Sequence, residues 1–152
     1  MGWESHFVTG ALAGYVVTNS FVGALVGGVA GLVPDIDEPN AKLGRYVPFF
    51  SRWLKHTFGH RTLTHSLLFF AAIGVALYYF DVDERYTYAV LAGLMAHSAC
   101  DMITGRVQLF YPLPMKVGIR VKRKWSKRID EAAKWLALGA FIALVLRNIV
   151  IG

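Results

Sequence analysis

The chain lacks several features that mark secreted proteins and the commonest hydrolases. Its single cysteine, Cys100, excludes an internal disulfide, and its position inside an apolar run indicates a packing residue. Neither HExxH nor a GxSxG nucleophile motif occurs, which argues against a zincin-type peptidase and a serine hydrolase. No cleavable signal peptide is evident, because the N-terminus has no basic leader. Any membrane insertion would then depend on the chain's own apolar segments.

Apolar residues, by contrast, are abundant and unevenly distributed. They make up 55% of the 152 residues, and they gather into runs that approach the roughly 20 residues a membrane helix needs. We therefore expect one membrane-embedded domain over residues 1–152. The three runs closest to the required length are residues 64–80, 87–103 and 132–151.

A fourth apolar stretch, residues 7–33, is interrupted by Thr18-Asn19-Ser20. A straight helix from His6 to Asp35 would be about 43 Å long and would place these polar residues on opposite sides of a bilayer. The break predicts two short antiparallel helices, near 6–17 and 20–33, since these polar residues favour turns and caps. The fold class predicted is all-α: a polytopic bundle of four to five membrane-embedded helices that includes this N-terminal hairpin.

The net charge of +6 lies mainly in two blocks. Of the 16 Lys and Arg residues, five fall in residues 34–63 and eight in residues 105–129. Two expected spans separate the blocks, so both lie on one side of the membrane, which the positive-inside bias makes cytoplasmic. This pattern predicts an inner-membrane protein that contacts anionic lipids through residues 120–128, and it argues against nucleic-acid binding. A role in setting the membrane topology, without any specific lipid contact, would explain the basic run equally well.

Residues 40–59 interleave five aromatic side chains with basic ones. This pattern predicts a loop or short surface helix in the headgroup region of an anionic leaflet.

Paired carboxylates follow the hairpin. In Pro34-Asp35-Ile36-Asp37-Glu38-Pro39, the prolines favour an extended backbone, in which Asp35 and Asp37 would point the same way. That arrangement suits binding of a cation. The alternative is a solvated turn that ends a helix.

The segment His60-Arg61-Thr62-Leu63-Thr64-His65-Ser66 stands directly before an apolar run. Thr64 is the predicted N-cap of a helix that begins near His65. Arg61 could face an anionic group of a substrate, or it could pair with Asp37 or Glu38.

His97 and Asp101 lie four residues apart near the end of the next span, so they share one helix face. An ionisable pair in an apolar span indicates a functional site. Gly105 is the expected C-cap, and residues 107–114 read as an extended segment that could cover the site.

Topology brings these polar residues to one membrane surface, where nitrogen and carboxylate ligands favour Zn²⁺, with Mn²⁺ or Fe²⁺ as alternatives. The number of ligands suits either two ions or one ion with supporting carboxylates. Asp37 or Asp101 could accept a proton from a metal-activated water. The predicted catalytic residues are Asp37 and Arg61, and the predicted metal ligands are His6, Asp35, His60, His65, His97 and Asp101.

Together, the HRTLTHS segment, the PDID segment, the HSACD segment and the later Phe110-Tyr111-Pro112 resemble the YdjM-like family of membrane-bound, predicted metal-dependent hydrolases. Some bacterial members are controlled by the LexA repressor. The resemblance covers His6 to about Pro114 and implies an inner-membrane protein with a hydrolase-like metal site. The family is distantly similar to zinc-dependent phospholipase C, which implies a phosphoester or phospholipid substrate.

The expected function is therefore metal-dependent hydrolysis of a phosphoester in a phospholipid or lipid-linked substrate at the cytoplasmic face. Two other classes remain open: a metal-ion transporter or sensor, and a non-catalytic scaffold that binds anionic lipid. A transporter would carry its ligands near the bilayer midplane within an inverted repeat. A scaffold would keep its binding after loss of His65 and His97.

Overall fold

The computed structural model describes residues 1–151, and its regular structure in that range is helical. The strand-like pairing among these residues is one isolated bridge between Val107 and Val117. The all-α prediction is confirmed. The helices are α1 (Trp3–Thr18), α2 (Phe21–Ala30), α3 (Pro48–Thr57), α4 (Leu67–Tyr79), α5 (Glu84–Thr104) and α6 (Arg123–Ile151), with 3₁₀ turns at Val33–Asp37, Gly44–Tyr46 and Leu63–His65.

The predicted break between two short helices is present, and it makes α1 and α2 an antiparallel hairpin. Asn19 ends α1 in the left-handed conformation, with φ of 50°, a region that asparagine tolerates better than most residues. Ser20 is the N-cap of α2, and its hydroxyl accepts a hydrogen bond from the Gly23 N–H at 2.9 Å. The start of α1 and the end of α2 therefore lie at the same end of the hairpin.

Glycines bring α1, α2 and α5 into backbone contact. A Cβ on Gly27 of α2 would lie 2.5 Å from the Gly10 carbonyl oxygen and 2.8 Å from the Gly14 Cα. A Cβ on Gly93 of α5 would collide with the Gly27 carbonyl. Small residues let membrane helices approach closely in this way. The contacts hold α1, α2 and α5 against one another.

The starts of the later helices differ from the predicted ones. Ser66, not Thr64, is the N-cap of α4, and its hydroxyl accepts from the Phe69 N–H at 3.2 Å. His65 therefore lies in a 3₁₀ turn before the helix rather than on it. Helix α5 begins earlier than predicted, because Asp83 caps it, and α6 takes in part of the basic run.

The Pro34–Pro39 segment is not extended, so the predicted alternation of its carboxylates is wrong. Residues Val33–Asp37 form a 3₁₀ turn with Pro34 near its start, where the fixed φ of proline suits a helical turn. The Glu38 N–H donates to the Asp35 carbonyl at 3.0 Å. Asp35 lies 4.0 Å from Nε2 of His65, and Asp37 lies 3.8 Å from Nδ1 of the same ring.

Residues 107–114 form a turn rather than an extended cover. The buried Val107 pairs with Val117 in both directions, at 2.9 and 2.8 Å. The Gln108 N–H donates to the Arg61 carbonyl, and the Leu67 N–H donates to the Leu109 carbonyl, each at 2.9 Å. The segment thus fastens the loop that carries Arg61 and His65. Gly105 does end α5, as expected, but in an extended conformation.

The polarity of the fold is inverted relative to a water-soluble domain. The most buried side chains include histidines, aspartates, serines and threonines, whereas large apolar side chains on α2, α4 and α6 are exposed. Phe21 is 65% exposed, Val75 68% and Leu136 75%. Such extensive exposed apolar surface indicates contact with a membrane. Helix α3 is the short surface helix expected within residues 40–59, and Phe49 and Trp53 lie exposed on it.

Within residues 1–151, one helix, α6, is long and apolar enough to cross a bilayer by length and composition. Helix α4 is apolar but has only 13 residues, about 20 Å at 1.5 Å per residue. The helical class predicted from the sequence is therefore confirmed. The number of membrane-crossing helices stays a prediction.

The glycine contacts generate a stability prediction. Gly27→Ala places a methyl group against the backbone of α1, and such overpacking costs about 1–3 kcal/mol, so we expect a lower melting temperature in detergent. Gly139→Ala on α6 is the matched control, because a Cβ there meets nothing within 4 Å. Alanine is the better helix former by about 1 kcal/mol, so the control should melt at or slightly above the wild-type temperature. Equal melting temperatures for the two variants would contradict the packing described.

Candidate metal centre

Seven ionisable side chains from four parts of the chain meet where α1, α2 and α5 pack together. Helix α1 supplies His6, the 3₁₀ turn after α2 supplies two aspartates, the loop before α4 supplies two histidines, and α5 supplies the remaining pair. The set contains all eight predicted site residues except Arg61, which lies beside it. The seven are His6, Asp35, Asp37, His60, His65, His97 and Asp101.

Four of these residues form the centre of the cluster. Asp35, His65, His97 and Asp101 each offer one ligand atom, and these atoms lie within 4.8 Å of one another. The Nε2 of His65 lies 3.3 Å from Oδ2 of Asp101, and the Nε2 of His97 lies 3.6 Å from Oδ1 of Asp35. Asp35 is partly exposed, while the other three are fully buried.

The hydrogen bonds around the two central histidines assign their neutral tautomers. His97 Nδ1 lies 2.7 Å from the Gly31 carbonyl, which only accepts, so this nitrogen donates. The Thr64 hydroxyl donates to Asp37 at 2.8 Å, so its oxygen accepts from His65 Nδ1 at 3.0 Å. Both Nε2 atoms then carry lone pairs, and they face each other at 3.1 Å.

His6 completes one wall of the cluster. Its ring stacks on the His97 ring, with centroids 3.7 Å apart. Its Nε2 lies 3.5 Å from Asp101 Oδ1 and 3.9 Å from Asp35 Oδ2. Neither ring nitrogen of His6 has a hydrogen-bond partner among the described residues, although the side chain is fully buried.

A second set shares Asp35 with the first. Asp35, Asp37 and His60 also offer ligand atoms within 4.8 Å of one another. His60 Nδ1 donates to Asp37 Oδ1 at 2.7 Å, while the backbone N–H of Arg61 donates to Asp37 Oδ2 at 3.0 Å. Asp37 therefore orients the His60 ring and leaves Nε2 as its free nitrogen. An imidazole held by a carboxylate in this way is common beside protein-bound metals.

The two carboxylates of the 3₁₀ turn differ in acidity. Burial raises the pKa of the Asp35 carboxyl above its ordinary value. Burial acts in the same direction on Asp37, but the hydrogen bonds from His60 and Thr64 outweigh it and hold the Asp37 pKa below its ordinary value. Burial opposes protonation of His60, but the bond to Asp37 outweighs it and raises the His60 pKa.

Arg61 pairs with a carboxylate, but not with either of the two that the sequence suggested. Its Nη2 donates to Asp101 Oδ1 at 2.9 Å, and its Nε lies 2.8 Å from Asp101 Oδ2. The backbone adopts a positive φ of 62° at this position, a conformation that non-glycine residues seldom occupy. This turn aims the N–H at Asp37 and the side chain at Asp101. The remaining guanidinium N–H groups lie beside Gly105, where a Cβ would collide with Nη1.

A cavity of about 280 Å³ leads from the surface to this cluster. Asp35, His60 and Arg61 line its inner part, and Trp3, Lys42 and Arg45 line the outer part. The cluster is thus accessible from one end of the bundle, through a cavity lined by three cationic side chains and by the carboxylates of Asp35 and Glu38.

Sequence reasoning missed three supporting groups. Thr64 was predicted as a helix cap, but its hydroxyl links Asp37 to His65. The Gly31 carbonyl orients His97, and Gly105 leaves room for the Arg61 guanidinium. The spacing of Thr64 within HRTLTHS carried a signal for the first of these. The other two depend on contacts between distant segments.

The chemistry of the donor atoms fits a divalent metal. Two imidazole lone pairs, an unpartnered third imidazole and carboxylate oxygens converge in a buried space, and such groups repel one another unless a cation lies between them. Mixed nitrogen and oxygen ligands suit zinc, manganese or iron better than calcium or magnesium. The ligand roles of the individual residues stay predictions.

Comparison with known proteins supports the resemblance seen in the sequence. The family model described as YdjM inner membrane protein matches residues 1–151. The uncharacterized protein YvsG of Bacillus subtilis (strain 168) is 30% identical over 130 residues, which cover 82% of this chain and 81% of the relative. Inner membrane protein YdjM of Escherichia coli (strain K12) is 35% identical over 88 residues, covering 53% of this chain and 44% of the relative. No solved structure gives a significant match.

The family match extends over nearly the whole chain, including every residue of the cluster. The names of two relatives place those proteins in the inner membrane, in agreement with the exposed apolar surface of this fold. The chain therefore belongs to the YdjM inner membrane protein family.

Proposed function

We propose that this protein is a membrane-bound metal-dependent hydrolase that cleaves a phosphoester of a phospholipid or lipid-linked substrate. The observation that carries the proposal is the pair of facing Nε2 atoms of His65 and His97, set among buried carboxylates. The cavity that leads to the cluster is lined by Lys42, Arg45 and Arg61 together with Asp35 and Glu38. Such a cluster combines cation-binding groups with a path for an anionic substrate.

Zinc is the metal we favour, with manganese or iron as alternatives. Asp35 belongs to both ligand sets, so one carboxylate could serve two neighbouring ions. Paired ions about 3.5–4 Å apart are common in phosphoester-cleaving sites. His65, His97 and Asp101 would hold one ion, and His60 the other, with His6 adjacent to the first.

A bound divalent metal would polarise a phosphoryl oxygen and acidify a water molecule. Arg61 would neutralise substrate charge through the N–H groups that Asp101 leaves free, while the ion pair fixes its position. Asp37 acts as a positioning residue, because three hydrogen bonds tie it to His60, Arg61 and Thr64. Asp37 and Asp101 are the two candidate acceptors of a proton from the water molecule. The three hydrogen bonds to Asp37 count against Asp37 in this role, and the ion pair with Arg61 counts against Asp101.

The position of the cluster favours a reaction site over an ion pathway. Asp35, His60 and His65 lie in connections between helices, at one end of the bundle. Ion ligands of secondary transporters lie near the bilayer midplane, in interrupted membrane helices. A ligand set at a helix-end surface is better placed to meet a headgroup.

We further propose a multi-pass inner-membrane topology with the cluster and both basic blocks on the cytoplasmic side. The exposed apolar faces of α2, α4 and α6 support membrane burial, and the positive-inside bias supports the orientation. The basic residues at 120–128 would contact anionic lipids of that leaflet.

The mechanism predicts a selective effect of Arg61. Purified protein supplied with zinc should release product from phosphatidic acid or phosphatidylglycerol, and a chelator should abolish the release. Arg61→Ala should lower kcat/KM about 100-fold, the scale for losing one charge-stabilising donor, and Arg61→Lys should recover part of it. Arg85→Ala, at the start of α5, is the control and should behave as wild type.

Equal kcat/KM for Arg61→Ala and Arg85→Ala would contradict the role given to Arg61. The hydrolase proposal would be overturned if the wild-type protein, with or without added metal, released no product from phospholipids or from soluble phosphoesters.

The topology can be tested by cysteine labelling in a Cys100→Ala background. Asp83→Cys, in the turn between α4 and α5, should react with an impermeant maleimide only from the periplasmic side. Lys116→Cys, in the exposed basic block, should react only from the cytoplasmic side. Cytoplasmic labelling of Asp83→Cys would show that the proposed orientation is wrong.

A further inference from the structure

An apolar groove on the side of the protein shares the lining residue Trp3 with the cavity. It lies between α1 and α6 and has a volume of about 460 Å³. Phe7 and Val8 of α1 form one wall, and Trp135 and Leu138 of α6 form the other. Glu4 and Lys134, which pair with each other at 3.1 Å, also line the groove. The groove therefore opens toward the membrane, as do the exposed apolar surfaces of the fold.

Trp3 is the wall that the groove and the cavity share. Its ring carries the ammonium group of Lys42 at 4.6 Å from the centroid, a cation–π contact. A tryptophan with a cation on one side and an apolar groove on the other has the amphipathic environment of a membrane–water boundary.

The cations at this boundary are available to a ligand. Lys42 and Arg45 have no carboxylate within 4.0 Å in the described part of the chain. Glu38, which lines the same cavity, pairs with Lys55, and Lys134 pairs with both Glu4 and Glu131. Arg45 donates through Nε to the Asn40 carbonyl at 3.1 Å, which holds the side chain at the cavity and leaves its other N–H groups free. Charge and shape are therefore complementary to an anionic head joined to an apolar chain.

We propose that the groove between α1 and α6 is the acyl-chain subsite for an anionic phospholipid whose headgroup lies in the cavity beneath Lys42 and Arg45. This inference rests on the proposed function, which puts the substrate phosphate at the metal cluster. It adds the groove as the feature that selects a lipid over a soluble phosphoester. The lipid lies across Trp3, with its phosphate facing Arg61 and one chain between Phe7 and Leu138.

A second apolar groove provides an internal comparison. It lies between α4 and α5, has a volume of about 420 Å³, and is lined by apolar residues and glycine, among them Phe70, Leu91 and Met95. No charged side chain lines it. Bulk lipid should occupy both grooves, but headgroup charge should affect only the one that leads to Lys42 and Arg45.

The test is photo-crosslinking of the full-length protein in bilayers that contain phosphatidylglycerol or phosphatidylcholine with a diazirine in one acyl chain. Peptide mass spectrometry then gives the ratio of labelling in the α1–α6 groove to labelling in the α4–α5 groove. We expect phosphatidylglycerol to raise this ratio about tenfold over phosphatidylcholine, since each cation near an anionic headgroup contributes to binding. The Lys42→Ala/Arg45→Ala double variant should remove the difference.

A substitution that fills the groove provides a second, independent test. Leu138→Trp should lower labelling of the α1–α6 groove and, in a turnover assay, reduce kcat/KM for long-chain substrate while leaving a soluble phosphoester unaffected. Leu136→Trp is the control, because Leu136 lies on the same helix, is exposed and does not line the groove.

Labelling ratios that are the same for both lipids in the wild type would overturn the subsite, even if the protein hydrolyses phosphoesters. A charge-dependent ratio without any turnover would support the subsite and count against the hydrolase proposal. The two ideas therefore fail separately.

Discussion

The burial of charge is the constraint on which this structure depends. Three imidazoles and two carboxylates are almost completely shielded from solvent: His6, His65, His97, Asp37 and Asp101. Isolated charges in such a place are very costly, so each must be paired or bound to a metal. Arg61 neutralises Asp101, and three hydrogen-bond donors satisfy Asp37. The Nε2 atoms of His65 and His97 face one another at 3.1 Å among carboxylate oxygens, an arrangement that could hold a metal ion.

Helix packing and loop anchoring provide the geometry. Glycines let the backbones of α1, α2 and α5 touch, so His6, the end of α2 and His97 occupy neighbouring positions. The loop with Arg61 and His65 is held from the other side by main-chain hydrogen bonds to residues 108 and 109. The outside of the same bundle is apolar, which places a charged centre at the end of a membrane-facing scaffold.

Much of this arrangement could be predicted from the sequence, because the polar residues interrupt otherwise apolar runs. The hairpin break at Thr18-Asn19-Ser20 and the clustering of the histidines and aspartates follow from segment length and topology. The local geometry could not be predicted in the same way: the 3₁₀ turn at Asp35 overrides the extended preference of residues flanked by proline, and Ser66 displaces Thr64 as the cap. The Arg61–Asp101 pair joins segments 40 residues apart, and no local pattern encodes it.

The metal content of the purified protein tests the central claim most directly. Elemental mass spectrometry should find about one to two equivalents of zinc or a related transition metal in the wild type. His97→Ala should lose most of it, while His56→Ala, which removes an exposed histidine on α3, should retain it at the same helix content by circular dichroism. A metal-free wild type after supplementation at neutral pH, or equal metal in the two variants, would contradict the account.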